Sequence, residues 1–93
     1  MNTLEPLEQR TFAQSRLQSF NDRLAIIYAE LFENDPEYAY AKSRTTPEGL
    51  ARKMTLALDR GEANKDGDGI RRTCEFFGIP HTYKAIRAFL NGQ

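Results

Sequence analysis

Between Leu17 and Leu31 the large apolar side chains fall at Leu17, Phe20, Leu24, Ile27, Tyr28 and Leu31, with polar or small residues in most of the gaps. Steps of three and four place all six on one side of an α-helix, whereas a half-buried strand would need strict alternation. The pattern extends back through Phe12 to Pro6, a residue suited to a first helical turn, and forward to the breaking sequence Asn34-Asp35-Pro36. One long helix over residues 6–34 is therefore predicted. At about 1.5 Å per residue it reaches on the order of 40 Å, more than a domain of 93 residues needs to cover its own core. The stripe has two outlets. Either the rest of the chain packs along it, or part of it meets a second copy as a homodimer contact.

The remaining signals are also helical. Thr46-Pro47-Glu48 starts a helix, because the threonine hydroxyl caps free amides, proline suits the first turn and the acid complements the helix dipole. Leu50, Met54, Ala57 and Leu58 continue a buried stripe until Gly61, which stops the helix near Arg60. Glu37 to Lys42 forms a short helical turn, with Tyr38 and Tyr40 packing onto the long helix, and the SRTT sequence that follows is a linker. Asp68 is expected to cap a helix from Ile70 to Phe77, with Ile70, Thr73 or Cys74, and Phe77 on its inner side. Gly78-Ile79 then turns the chain, and Pro80 opens a last helix to about Leu90. With no alternating strand pattern and no internal repeat, the expectation is one all-α domain over residues 1–93. It consists of the long N-terminal helix and a compact three-helix unit over residues 47–91.

Several functional classes drop out. No apolar run approaches the roughly 18 residues that would cross a bilayer. The stretch MNTLEPLEQR lacks the basic and apolar regions of a signal peptide, so a cytoplasmic chain without a membrane partner is expected. The single cysteine, Cys74, has no disulfide partner and no zinc cluster to join, and reads as a small buried residue. There is no nucleophile with a matched base, no phosphate-binding glycine loop and no metal-ligand cluster, so neither an enzyme nor a cofactor or metal is expected.

The stretch NKDGDGIRRTCE, Asn64 to Glu75, imitates a calcium loop. Counted from Asn64, Asp66 and Asp68 take ligand positions, Gly69 takes the turn position, and Glu75 takes the last one. Against that reading, the first ligand is a neutral asparagine, Arg71 and Arg72 add positive charge beside the site, and Gly78-Ile79-Pro80 ends the following helix too soon. A run of turn formers leading into a helix explains more of the residues.

Formal net charge is zero, but the charges are unevenly spread along the chain. Up to Pro47 the acids Glu5, Glu8, Asp22, Glu30, Glu33, Asp35 and Glu37 outnumber Arg10, Arg16, Arg23, Lys42 and Arg44. From Ile70 onward only Glu75 opposes Arg71, Arg72, Lys84 and Arg87, which makes the C-terminal end the candidate contact surface. The stretch IRRTCEFFGIPHTYKAIRAFL, Ile70 to Leu90, resembles the helix-turn-helix DNA-binding superfamily. Small Cys74 stands where the two helices would cross, Gly78 occupies the turn, and Ile79 points back to the core. Tyr83, Ile86 and Phe89 or Leu90 of the last helix fall one residue off the commonest register.

That resemblance implies DNA as partner. In such a reader the polar face of the last helix carries His81, Thr82, Lys84, Arg87 and Asn91. Thr82, Lys84 and Arg87 would reach base edges, while Arg71 and Arg72 would hold phosphates. His81, beside Pro80 and without a second histidine, also reads as a simple helix-start residue. The alternative is a protein-interaction module, an adaptor or inhibitor, which zero net charge and the acidic first half favour.

Overall fold

The computed structural model describes residues 6–37, 45–62 and 64–92, with side chains from Gln14 onward in those ranges. Four helices run in order among these residues: α1 (Pro6–Asn34), α2 (Pro47–Asp59), α3 (Asp68–Phe77) and α4 (Tyr83–Leu90). The described residues contain no strand, and the fold is all-α. Tyr38, Tyr40 and the Ser43-Arg44 part of the expected linker lie outside the described residues.

Helix α1 is the spine. Phe20 and Leu24 are fully buried, Ile27 and Tyr28 nearly so, and Leu17 and Leu31 pack against the same core. The three shorter helices each rest on α1, and α4 also meets α2. Of the two outlets for the apolar stripe, packing within the chain therefore takes the segment from Leu17 to Leu31. Phe20, Phe77 and Phe89 gather α1, α3 and α4 at one end, with ring centroids 6.2 Å apart for Phe20–Phe77 and 4.9 Å for Phe77–Phe89. Two α1 cations lie over this aromatic group: the Arg23 guanidinium is 3.7 Å from the Phe76 ring centre and that of Arg16 is 4.6 Å from Phe89. Contacts of this kind shelter aromatic faces that would otherwise meet water.

The boundaries of α2 follow its sequence signals. The Thr46 hydroxyl accepts from Gly49 N at 3.0 Å, Pro47 fills the first turn, and Gly61 adopts the left-handed φ of 73° past the helix end. Its inner face is wider than the expected stripe. Ala51 and Thr55 are buried beside Leu50 and Leu58, while Met54 and Ala57 are only partly covered.

Two expected starts move. Helix α3 begins at Asp68, not Ile70, with extended Gly67 as its cap residue and no side-chain cap. The Arg71 N–H already bonds the Gly67 carbonyl at 2.9 Å, so Asp68 sits inside the first turn, where its charge complements the helix dipole. Gly69 thus belongs to the helix and is buried: a Cβ there would lie 2.5 Å from Tyr28 Cε1, so only glycine lets α3 approach α1 this closely. Helix α4 begins at Tyr83, not near Pro80, because the Thr82 hydroxyl accepts from Ala85 N at 3.1 Å and fixes the start there. The intervening residues make a turn closed by Thr82 N to the Pro80 carbonyl at 2.8 Å. Gly78 ends α3 with φ 66°, and Ile79 packs back against the core as expected.

Candidate nucleic-acid interface

The outer side of α4 borders a shallow groove of about 400 Å³ lined by Tyr83, Lys84, Arg87, Ala88 and Asn91. Helical steps of four align Tyr83, Arg87 and Asn91 in one row and Lys84 with Ala88 in the next. Lys84, Arg87, Asn91 and Thr82 are exposed, His81 is half-buried, and Arg71 and Arg72 are exposed near the start of α3.

The seven residues divide by what already holds them. Among the described residues, Arg72 and Lys84 enter no hydrogen bond or ion pair and keep their full capacity for a ligand. Arg71 pairs with Asp68 one turn earlier, a contact between two exposed side chains. Such a pair contributes little to stability and is easily exchanged. Thr82 spends one lone pair as the α4 cap but keeps its hydroxyl proton to donate. His81 is structural, because its Nε2 bonds the Lys65 carbonyl and pins the loop before α3 against the turn before α4. Tyr83 joins the same contact, its hydroxyl accepting from Lys65 N at 3.4 Å.

Arg87 and Asn91 reach back to the end of α2. Arg87 Nε donates to the Asp59 carbonyl at 3.1 Å, and Asn91 Nδ2 donates to Asp59 Oδ1 at 3.2 Å and to the Arg87 carbonyl at 2.7 Å. The last turn of α2 contains no basic residue of its own. Its unpaired carbonyls and negative dipole end attract a cation, and Arg87 supplies it from another helix. The guanidinium is thereby fixed in place with its terminal nitrogens left over.

The loop that imitates a calcium site has its oxygens engaged. Asn64 Oδ1 accepts from Asp66 N at 2.9 Å, Asp66 accepts from Lys65 Nζ at 2.9 Å, and Asp68 accepts from Arg71. The Lys65 contact holds the Asp66 carboxyl below its ordinary range, and Asp66 in turn raises Lys65. Among the described residues no three His, Cys, Asp or Glu side chains are grouped to hold a metal ion. The Cys74 thiol is 1% exposed, and burial, with a smaller effect from Glu75, raises its pKa to about 11. It is a core residue with little thiolate character.

Sequence reasoning did not reach three participants. Lys65 and Asp59 anchor residues of the candidate surface across 16 and 28 positions, and no local pattern announces such pairs. Arg16 and Arg23 belong to the acidic half by sequence, yet the fold sets them against Phe89 and Phe76. The charge gradient along the chain is therefore not a gradient across the molecule. No helix among the described residues is long and apolar enough to cross a membrane. No protein-family model, curated protein or solved structure matches the chain.

Proposed function

We propose that the protein is a small DNA-binding protein of the helix-turn-helix kind, a transcriptional or replication regulator that lays α4 against duplex DNA. The observation that carries this reading is the outward row on α4: Lys84, Arg87 and Asn91 beside an open groove, with Thr82 at the helix start and only one acid, Glu75, after Asp68. Lys84 and Arg87 are long enough to reach base edges and favour guanine, and Thr82 serves either base type. Arg71 and Arg72 fit phosphate contacts that set orientation. The bond from Arg87 to Asp59 supports this use, because a side chain already immobilised loses less freedom on binding.

An α4 of 8 residues covers few bases. A symmetric dimer would add a second reader at a half-site about 34 Å away. A contact between copies would have to use a part of α1 other than its buried stripe.

The rival is a protein-interaction module. Ile26, 46% exposed on α1, and Leu56, 39% exposed on α2, favour it, because large apolar side chains left in water often mark contacts with other proteins.

The test replaces Arg72 and Lys84 together with alanine, since neither holds the fold. Retention of duplex DNA in a mobility-shift assay should weaken by at least tenfold with helicity unchanged. Equal retention would exclude this surface.

A further inference from the structure

A second concave feature lies away from α4. Between α1 and α2 a cleft of about 160 Å³ is lined by Leu17, Gln18, Asn21, Arg52, Thr55 and Leu56. Two of its polar atoms are orphans: Thr55 Oγ1 and Asn21 Oδ1 are both buried and hydrogen-bonded to nothing. Thr55 as a whole is 1% exposed and sits on the inward face of α2, where valine would give the same shape without the polar group. Buried hydroxyls and amides are nearly always paired, so two orphans facing one cleft mark a place for a hydrogen-bonding guest.

The chemistry of the walls selects that guest. An ammonium or guanidinium group would meet the positive charge of Arg52. A carboxylate would suit Arg52 and the Thr55 hydroxyl, but it presents only acceptors to Asn21 Oδ1. A primary carboxamide carries one donor and one acceptor side by side. It can donate to Asn21 Oδ1 while accepting from the Thr55 hydroxyl or Arg52. If the Asn21 amide turns over, the guest turns over with it and both bonds survive. Leu17 and Leu56 supply apolar wall for a short aliphatic stem, and the volume holds a group of about five heavy atoms, given that a water occupies roughly 30 Å³.

We propose that the α1–α2 cleft is a binding site for a primary carboxamide on a short aliphatic stem. The same chemistry is offered by a free amide metabolite and by a glutamine or asparagine side chain of a polypeptide. The site is separate from the α4 groove and does not depend on DNA binding.

The experiment titrates the full ¹⁵N-labelled chain with propionamide and records amide and side-chain NH₂ resonances. Saturable shifts are expected at Asn21, Arg52, Thr55 and Leu56, with half-saturation in the millimolar range, on the order expected for a ligand of about five heavy atoms. Propionate should bind at least threefold more weakly. Thr55→Val should flatten the titration, and Thr55→Ser, which restores the hydroxyl, should recover it. A glutamine-containing tripeptide and free glutaminamide then separate the two sources: a polypeptide source predicts the tighter binding by the tripeptide, a metabolite source the reverse. Absence of shifts in the wild-type chain overturns the proposal, as do equal shifts in Thr55→Val or propionate binding as tightly as propionamide. Slowly exchanging water at Thr55 without any response to propionamide would show a hydration site only, and would overturn it equally.

Discussion

Gly69 provides the sharpest test of how α3 is set against α1. A Cβ added there would lie 2.5 Å from Cε1 of Tyr28 and 3.0 Å from both Cδ1 and Cζ. Ordinary contacts begin near 3.4 Å, so Gly69→Ala requires the ring and the α3 backbone to separate by about 1 Å, measured against normal carbon contact distances. Tyr28 is 4% exposed and held within the core, so it cannot swing into solvent. Forcing an extra methyl into a packed core costs about 1–3 kcal/mol. Alanine recovers less than about 1 kcal/mol through helix propensity, and less still in a first turn. The net expectation is destabilisation by about 1–2 kcal/mol, from the difference of those two ranges. In a domain of this size that lowers Tm by roughly 5–15 °C.

Urea denaturation followed by circular dichroism measures the difference directly. In a Tyr28→Leu background the penalty of Gly69→Ala should fall below about 0.5 kcal/mol, because the ring edge that causes it is gone. Gly78→Ala is the contrasting control. Its Cβ meets nothing within 4 Å, so its loss of about 1 kcal/mol comes from the left-handed φ alone and is unchanged by Tyr28→Leu. A Gly69→Ala protein as stable as the wild type would refute the close approach of α3 to α1, and with it the placement of Arg71 and Arg72.

Other consequences are independent of that contact. The Cys74 thiol titrates near 11 in the fold against 9.0 for an ordinary thiol, so the unfolded chain releases this proton first as pH rises. Wild-type stability should hold below about pH 9 and fall between about 9 and 11 relative to Cys74→Ala, by linkage; parallel pH profiles of the two proteins would contradict the burial. Thr55→Val removes a buried hydroxyl that lacks a partner, so it should leave stability unchanged or raise it by about 1 kcal/mol. A loss of more than about 1 kcal/mol in urea titration would mean that the hydroxyl is satisfied in solution. Arg87→Ala should lower stability by about 0.5–1 kcal/mol through the unpaired end of α2, whereas Lys84→Ala should not; equal effects would remove the capping role of Arg87.

Much of the fold was legible because its signals are local. The three-four spacing from Leu17 to Leu31 fixed the buried face of α1, and Thr46-Pro47-Glu48 with Gly61 bounded α2. Gly78 ended α3 for the reason its residue type suggests. The two helix starts that moved did so where local signals competed. Thr82 outdid Pro80 as the opening of α4 because its hydroxyl bonds an orphan amide, which proline cannot do. Asp68 is a good cap by type, yet it lies one residue inside a helix capped by Gly67.

The candidate surface was less legible. Exposure of Lys84, Arg87 and Asn91 follows from the helical period, but the attachment of the last two to Asp59 depends on how α4 crosses α2. Gly69 carried a turn signal and serves a packing role, and Thr55 looked like a neutral interior helix position while its hydroxyl faces a cleft. Each is a property of two elements together, which a single stretch of sequence does not encode.

The salt dependence of DNA affinity tests the central claim most directly. Contact of Arg71, Arg72, Lys84 and Arg87 with phosphates or the adjacent groove should give a slope of log K against log salt of about −3 to −4 per protomer, since each neutralised phosphate contributes about −0.9. Fluorescence anisotropy on a labelled duplex should therefore show affinity falling roughly a hundredfold between 50 and 200 mM salt, with the slope approximately halved in Arg72→Ala/Lys84→Ala. A flat salt profile, or a slope that the double substitution leaves unchanged, would contradict the assignment of these side chains to nucleic acid.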